Sequence, residues 1–424
     1  MIGPILARQP NPLPNPFRPG NGVAPPYLAG RDRLLGAFED WLLEEPPLHA
    51  NWALTGLRGT GKTVLLGEFA TRAERAGWLT LQRELGDRHR DDVRLAEAII
   101  EDCDALIGRG DAIAAVAQVM ERGARWLRPR RISVGQISLD PSYAAEVSAP
   151  ADAMRSALGQ LDTMLSHSDR SGAILLYDEA HQLADDAGRE RYPLSGLLAA
   201  LGAVQREHQR VRIIVCGLPT LSLNLKRART YAERMFRHTV VGNLEADAAD
   251  EALAIPLAVS GRSFGLSLIS EITEQTAGYP YFLQFFSAFA CSRIGLQHID
   301  LAAYQRIESA LLHELDLAFF EDRFEGAPPT EQTVLEAMAR ETGPATLRRL
   351  RERLADAGNL DLLVRRLIER GLVYRTGRAT YDFALPLFRG FIRRRRQLTK
   401  LTDPVRTGSP RAGAPDPLAT RALR

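Results

Sequence analysis

The sequence predicts an α/β protein in which a parallel sheet is followed by an all-helical region and then by a small module of helices and a hairpin. Three observations predict it. Short apolar runs alternate with helical segments up to about residue 245, strand patterns then stop, and three short helices precede a hairpin after residue 328. The run Ala173–Tyr177 is apolar throughout, as is typical of a central parallel strand buried on both faces. Right-handed crossovers between such strands give a doubly wound sheet.

Composition limits the class of protein. The chain has 424 residues, 45% of them hydrophobic and 25% charged, so it can bury more than one core. No apolar stretch reaches the roughly 18–20 residues that cross a bilayer, and prolines interrupt the N-terminus where a signal peptide would be apolar. We therefore expect a cytoplasmic protein without a membrane partner. Cys103, Cys216 and Cys291 are far apart, which favours neither disulfides nor a zinc site, and we expect them to be small buried residues.

The N-terminal half begins with residues 1–26, whose eight prolines predict a disordered, extended arm. Residues 27–245 form the predicted α/β domain, in which Asp32–Leu43 is a helix. Trp52–Thr55 is a strand that runs into a glycine-rich turn and the helix Val64–Arg75. The other predicted strands are Trp78–Glu84, Ile132–Leu139, Ala173–Tyr177, Arg212–Cys216 and Thr239–Val241, and the other predicted helices are Val93–Leu127, interrupted around Gly108–Gly110, and Ala151–Ser166.

The second half divides into three parts. Residues 246–327 have helical periodicity and predict an all-helical lid, residues 328–396 predict a winged helix, and residues 397–424 predict a disordered tail. The winged helix is expected to comprise helices Thr330–Ala339, Thr346–Leu354 and Leu360–Arg370 and strands Leu372–Arg375 and Thr380–Phe383.

Gly56–Thr63 reads GLRGTGKT and fits the phosphate-binding pattern G-x-x-x-x-G-K-[ST] between a strand and a helix. Glycines allow backbone N–H groups to face a phosphate, Lys62 can reach the β- and γ-phosphates, and the Thr63 hydroxyl can bind Mg²⁺. Lysine is rare, since 51 of the 54 basic residues are arginine. The alternative is a glycine-rich turn with an incidental lysine. The expected phosphate-binding residues are Gly56, Leu57, Arg58, Gly59, Thr60, Gly61, Lys62 and Thr63.

Two acidic residues, Asp178 and Glu179, follow the buried strand at Ala173–Tyr177. At the carboxyl edge of a parallel sheet they would lie beside the phosphate-binding loop. Asp178 would hold Mg²⁺ with Thr63, and Glu179 would polarise the attacking water. The alternative is an acidic turn that ends a strand. No N-K-x-D guanine-reading motif occurs, so the expected nucleotide is ATP rather than GTP.

The predicted winged helix is strongly basic. Between Thr346 and Arg396 fourteen arginines and five acidic residues give a net charge of +9, which suits nucleic-acid binding. A protein-docking or autoinhibitory module is the alternative. The arginines expected to contact duplex DNA are Arg365, Arg366 and Arg370 on the recognition helix and Arg375 and Arg378 on the wing.

The chain resembles the AAA+ ATPases, in the branch of the origin-recognition initiators, the STAND-type signalling ATPases and the transposition-helper ATPases. The resemblance covers about residues 24–396 and rests on four segments: Tyr27–Arg31 (YLAGR), Gly56–Thr63 as Walker A, Leu175–His181 (LLYDEAH) as Walker B, and Gly278–Pro280 as the G-x-P motif of the lid. It implies a P-loop AAA+ sheet with a helical lid and a C-terminal winged-helix domain.

The resemblance also implies roles for single residues. Tyr27 and Pro280 would lie near the adenine, and Cys216 or Thr220 would occupy the sensor 1 position. Tyr281–Leu283 follow Pro280, which favours a lid of the G-x-P type over one with a sensor arginine there. Arg234 or Arg237 would act as an arginine finger on a neighbouring subunit's nucleotide, surface charge being the alternative.

Two functions follow from this sequence. The first is a Mg²⁺-dependent ATPase whose nucleotide state controls a basic, DNA-binding winged helix, as in an initiator or a transposition helper. The second is a STAND-type signalling switch, in which ATP controls oligomerisation and the winged helix docks a protein or inhibits the nucleotide domain. Both imply nucleotide-dependent self-association or a partner protein.

Overall fold

The computed structural model describes residues 13–20, 22–121, 150–206, 209–354 and 358–402. The predicted strand Ile132–Leu139 lies outside the described residues. No helix in the described part of the chain is both long and apolar enough to cross a bilayer. The three cysteines are buried and unbridged, as expected.

A five-stranded parallel sheet forms the centre of residues 27–245, in the spatial order β5-β1-β4-β3-β2. The strands are β1 (Asn51–Thr55), β2 (Trp78–Glu84), β3 (Gly172–Asp178), β4 (Val211–Gly217) and β5 (Phe236–Val240). Every residue of β1, β3 and β4 is buried, because helices cover both faces. The predicted parallel, doubly wound sheet is therefore present.

Successive residues of each central strand point to opposite faces, and two separate cores result. One core contains Trp52, Ile214 and the stacked rings of Phe38 and Phe69, and the other contains Ala53 and Ile213. The helices of this region are α1 (Asp32–Leu43), α2 (Lys62–Arg75), α3 (Asp92–Glu121), α4 (Pro150–Ser166), α5 (Pro193–Gln205), α6 (Thr220–Ala228) and α7 (Ala232–Met235).

Helix α3 differs from its prediction, because it is continuous through Gly108–Gly110 where an interruption was expected. A Cβ at position 110 would lie 2.7 Å from Sδ of Met164 in α4. The glycine therefore allows close helix packing and does not end the helix.

The lid and the C-terminal module share one apolar core, which extends from Ala249 to Ile392 and also includes Phe17. The lid contains a two-residue parallel strand pair, β6 (Ser263–Phe264) and β7 (His298–Ile299), and a π-helical segment over residues 316–321. Its helices are α8 (Ala246–Val259), α9 (Leu266–Thr276), α10 (Pro280–Ile294), α11 (Leu301–Gln305), α12 (Glu308–Leu315) and α13 (Asp322–Glu325).

The C-terminal module has the helix and strand order of a winged helix, with an antiparallel sheet in the order β8-β10-β9. Its elements are α14 (Pro329–Ala339), β8 (Ala345–Thr346), α15 (Leu347–Arg353), α16 (Leu360–Glu369), β9 (Val373–Gly377), β10 (Thr380–Phe383) and α17 (Phe388–Thr402). Helix α17 continues past residue 397, where the tail was expected to begin.

Residues 13–20, expected to belong to a disordered arm, instead lie against the lid. Phe17 is buried in the lid core and stacks on Phe264, with ring centroids 6.3 Å apart. The buried guanidinium of Arg262 donates to the carbonyl oxygens of Leu13 (2.5 Å) and Pro14 (3.1 Å). These contacts join segments about 250 residues apart, so local composition does not reveal them.

Candidate functional site

The loop between β1 and α2 curls in the way its glycines allow. Gly59 and Gly61 have φ values of +77° and +88°, a region that favours glycine, and a Cβ on Gly56 would overlap the carbonyl oxygen of Val241. The Thr60 hydroxyl closes the turn by donating to the carbonyl of Leu57 (2.9 Å). The loop thus leads into the N-terminus of α2, where backbone N–H groups and the helix dipole favour an anion.

Lys62, the first residue of α2, is buried with its ammonium turned into the loop. Its Nζ donates to the carbonyl oxygen of Leu57 at 2.8 Å, and it forms no ion pair within the described part of the chain. Burial lowers the pKa of Lys62, since the charged form loses water. A phosphate at the loop would compensate this buried charge.

Thr63 and Asp178 meet at the carboxyl edge of the sheet. The Thr63 hydroxyl donates to Oδ2 of Asp178 at 2.6 Å, and the other oxygen of this buried carboxylate accepts the backbone N–H of Glu179 at 2.8 Å. A hydroxyl and a carboxylate in contact beside a phosphate-binding loop suit Mg²⁺, which prefers oxygen ligands and binds with substrate phosphates. The two residues therefore fit the cation that the sequence predicts.

Glu179 has a strained backbone, with φ at +53°, at the turn that ends β3. Its carboxylate is 26% exposed and lines the cavity, and burial raises its pKa. A carboxylate that is partly desolvated but still accessible can accept a proton from water. Its Oε2 lies 3.3 Å from Nδ1 of His181.

His181 and the end of β4 support this turn. A Cβ at Gly217 would approach the His181 backbone nitrogen to 2.8 Å, so only glycine fits where β4 ends. Asn224 of α6 donates to the carbonyls of His181 (3.2 Å) and Leu183 (3.0 Å). Sequence reasoning missed Asn224, and no local motif marks it. Of the two sensor 1 candidates, Cys216 is buried in β4 and Thr220 begins α6.

A cavity of about 520 Å³ lies between the loop, the lid and the N-terminal segment. Tyr27 and Pro280, expected near the adenine, both line it, and so do Lys62, Thr63 and Glu179. The wall also contains groups that sequence reasoning did not assign, namely Arg18, Val23, Arg31, Tyr281, Phe319 and Arg323. Most of the residues predicted for nucleotide binding thus line one space, whereas Gly56, Leu57 and Asp178 are not part of its wall.

Arg31, from the YLAGR segment, ties this wall to the loop. Its guanidinium donates to the carbonyl oxygens of Thr60 (3.2 Å) and Gly242 (2.6 Å), and burial lowers its pKa. The segment therefore holds the loop in shape in addition to lining the cavity.

The two arginine-finger candidates have different surroundings. Arg237 stacks over Trp52 of its own chain, 4.4 Å from the ring centroid, whereas Arg234 is exposed on α7. Both lie near the start of β5, at the edge of the sheet opposite the phosphate-binding loop. A five-residue strand spans about 16 Å, so neither side chain extends to the loop of its own chain.

The predicted DNA-contacting arginines also differ among themselves. Arg365, Arg366 and Arg378 are exposed and form no ion pair with any described residue. Arg375 is exposed and donates to the Gly377 carbonyl at 2.9 Å. Arg370 instead pairs with the buried carboxylate of Glu331 at 2.9 Å.

Other arginines of the basic region are also paired within the chain. The basic run in α17 contributes Arg393, which donates to the carbonyls of Ala339 and Glu341, and Arg394, which pairs with Asp316 at 2.5 Å. Intramolecular partners thus satisfy part of the positive charge counted from the sequence.

Comparison with known proteins adds evidence on the fold. A family model described as a domain of unknown function, DUF8462, matches residues 317–392. No curated protein matches the chain. The Walker-type ATPase PABY2304 of Pyrococcus abyssi is 17% identical, with a TM-score of 0.54 over 86% of this chain and 96% of that chain.

Two other solved structures are similar at lower TM-scores. ORC1 of Aeropyrum pernix, solved in complex with DNA, is 17% identical, with a TM-score of 0.43 over 89% of this chain and 95% of its own. The RuvB Holliday junction branch migration motor of Thermotoga maritima is 13% identical, with a TM-score of 0.38 over 83% and 91%. The sheet order, the loop after β1 and the likeness to the Pyrococcus structure show a P-loop fold of the AAA+ type.

Proposed function

We propose that the protein is a Mg²⁺-dependent, cytoplasmic ATPase whose nucleotide state controls its C-terminal winged helix. One observation carries the proposal: Lys62, Thr63 and Glu179 line a single cavity at the carboxyl edge of the sheet, and Asp178 is hydrogen-bonded to Thr63. That cavity, about 520 Å³, is of the size expected for a small-molecule site.

Each residue has a separate task in this proposal. The loop N–H groups and Lys62 bind the phosphates, while Thr63 and Asp178 hold Mg²⁺, which neutralises phosphate charge. Glu179 orients a water molecule and accepts its proton, and its raised pKa makes it a better base than an exposed glutamate. Tyr27 and Pro280 flank the remainder of the nucleotide.

The first test separates binding from turnover. Lys62→Ala should abolish or nearly abolish ATP binding measured by calorimetry, because the buried site loses the only lysine of the loop. Glu179→Gln should bind ATP as the wild type does and lose steady-state phosphate release, since the amide keeps the size but is not a base. Wild-type binding by Lys62→Ala would place the nucleotide elsewhere, and wild-type turnover by Glu179→Gln would make that glutamate structural. Lys226→Ala, at an exposed position of α6, is the matched lysine control.

For the winged helix, we propose contact with duplex DNA through Arg365, Arg366, Arg375 and Arg378. They are exposed and basic, and α16 is the element that a winged helix places in a groove. We exclude Arg370 from this set because of its pairing with Glu331.

The DNA test uses salt. Each phosphate contact contributes about −0.9 to the log–log slope of affinity against salt concentration, so Arg365→Ala with Arg366→Ala should flatten the slope by up to about two units. ATP binding should be unchanged, since neither residue lines the nucleotide cavity. Arg227→Ala with Arg229→Ala, two exposed arginines outside the winged helix, is the matched control. If the wild type does not bind long duplex DNA at low salt, with or without ATP, the proposal that the winged helix contacts DNA is wrong.

A STAND-type switch is the second candidate, and one observation favours it. Gly371, which follows α16, lies against the phosphate-binding loop: a Cβ there would be 3.4 Å from Nε of Arg58. A winged helix seated on the loop could restrain the nucleotide domain and control oligomerisation without DNA. In that case ATP should change the state of assembly while DNA has no effect.

A further inference from the structure

The N-terminal strap, residues 13–20, is fastened to the lid by a buried charge and a buried ring. The guanidinium of Arg262 is buried and forms no ion pair with a described residue. It donates instead to four carbonyl oxygens, two in the strap and two in the lid, those of Leu13, Pro14, Cys291 and Leu296. If the strap left the lid, this buried charge would lose two acceptors and the ring of Phe17 would enter water. Both losses favour the attached strap.

The strap also follows one face of helix α10. Nδ2 of Asn15 donates to the Ala288 carbonyl and to the Ser292 hydroxyl, both at 2.8 Å. The backbone N–H of Arg18 donates to Oε1 of Gln284 at 3.3 Å. The three acceptors on α10 are four residues apart, so they lie on one face of the helix. The first turn of α10 lines the nucleotide cavity, and the strap is therefore attached to the part of the lid that borders this cavity.

Beyond its contacts with α10, the strap forms part of the cavity wall. Three of its residues line the cavity, namely Arg18, Pro19 and Gly20. Two residues further along the chain, a Cβ at Gly22 would lie 3.4 Å from Cγ2 of Thr63, at the phosphate-binding loop. The N-terminal part of the chain thus contacts the lid on one side of the cavity and the loop on the other.

The two sides of this segment are fixed in different ways. After Gly22 the chain continues into α1, whose N-cap residue Arg31 donates to carbonyl oxygens of the nucleotide-binding region. The strap, in contrast, is held to the lid only by noncovalent contacts. Its three prolines restrict backbone rotation within it, at positions 14, 16 and 19. The contact between strap and lid is therefore the one that can open and close as a unit.

We propose that the N-terminal strap is a gate of the nucleotide cavity: attached to the lid it retains a bound nucleotide, and the nucleotide enters and leaves when the strap detaches. The inference deepens the proposed function and depends on it. Phe17 and Asn15 fasten the strap but are not part of the described cavity wall. Weakening their contacts should therefore speed entry and exit together and change the equilibrium affinity much less.

The test measures nucleotide exchange on the full chain in Mg²⁺, with ADP that carries a fluorophore on its ribose and an excess of unlabelled ADP as the chase. Phe17→Ala should raise the dissociation rate on the order of 10- to 100-fold, the factor that corresponds to the burial of one phenylalanine ring. The association rate should rise with it. Phe17→Leu keeps an apolar anchor and should give intermediate rates.

Two further variants separate the strap from the stability of the lid. Asn15→Ala removes two hydrogen bonds at the surface of the strap without a change in the core, and should raise both rates on the order of a few-fold. Phe383→Ala is the matched control, since it removes a buried ring from the C-terminal part of the same core. Its exchange rates should equal those of the wild type.

A second measurement follows the strap itself. Hydrogen exchange of residues 13–20 includes the Arg18 amide, which is bonded to Gln284 only while the strap is attached. Across the wild type, Phe17→Ala, Phe17→Leu and Asn15→Ala, this exchange should become faster in the same order as nucleotide release, because one opening step limits both.

Three results would overturn the inference while leaving nucleotide binding intact. They are unchanged nucleotide exchange in both Phe17→Ala and Asn15→Ala, faster hydrogen exchange of the strap without faster nucleotide release, and weaker binding with an unchanged association rate. The last result would make the strap a part of the binding surface and not a gate. A wild type that does not bind the nucleotide would overturn the proposed function and this inference together.

Discussion

The surroundings of His181, at the turn after β3, alter its acid–base chemistry. Burial lowers its pKa to about 4, and the positive charges of Arg58 and Lys62 act in the same direction. The nearby carboxylate of Glu179 would have the opposite effect, but it is 3.3 Å away without hydrogen-bond geometry, so burial dominates. His181 is therefore neutral at pH 7 and cannot form an ion pair with the proposed base.

This neutrality predicts a pH-dependent stability. The folded pKa of about 4 lies below the ordinary 6.5, so the unfolded chain binds more protons between these values and stability falls as the pH drops through that window. From pH 7 to pH 5 the loss due to His181 should be about 2 kcal/mol. Thermal unfolding of His181→Gln should show a correspondingly smaller loss, whereas the exposed control His167→Gln should behave as the wild type. Identical acid sensitivity of His181→Gln and wild type would contradict the assignment.

At the scale of elements, prediction from sequence worked where the pattern is local. Asp32–Leu43, Trp78–Glu84 and Thr380–Phe383 have the predicted limits, because amphipathic or apolar periodicity decides them. The loop at Gly56–Thr63 was predictable because its glycines and lysine meet one physical requirement.

Other elements depend on partners that are distant in sequence. Three arrangements join segments between 78 and about 265 residues apart. Phe17 packs on the lid, Arg323 and Arg58 line the same cavity, and Arg394 pairs with Asp316. No periodicity encodes such contacts. The net charge of +9 over residues 346–396 likewise could not show which arginines pair with acidic residues in the folded chain.

Helix α16 gives an element-scale prediction about Arg370. Glu331 is 1% exposed and neither of its oxygens has a hydrogen bond of good geometry, so its charge depends on the contact with Arg370. Arg370→Ala should destabilise the chain by about 3 kcal/mol, the lower end for breaking a buried pair, since the arginine is half exposed. Adding Glu331→Gln should recover part of the loss in thermal unfolding. A DNA-binding defect of Arg370→Ala without a stability defect would instead assign this arginine to the DNA surface.

At the scale of the whole molecule, we propose that the nucleotide site is completed by a neighbouring subunit in an assembly. The loop, Asp178 and Glu179 lie at one edge of the sheet, and the exposed Arg234 lies toward the opposite edge. Subunits arranged head to tail would bring the two together, a heterologous contact that repeats around a ring or along a filament. Arg237 is less suited to this role, since it stacks on Trp52 within its own chain.

This arrangement predicts complementation between two inactive variants. Arg234→Ala should bind ATP normally and lose turnover on the order of 10³-fold, the effect of an absent arginine finger, while Lys62→Ala binds no ATP but retains Arg234. Mixed assemblies should recover activity, because Arg234 of a Lys62→Ala subunit meets an intact site on an Arg234→Ala subunit. Wild-type specific activity should also rise with protein concentration across the range of assembly. Two results together would show that Arg234 does not complete a neighbouring site. The mixtures would be as inactive as their components, and the wild-type activity per mole would be constant over that concentration range.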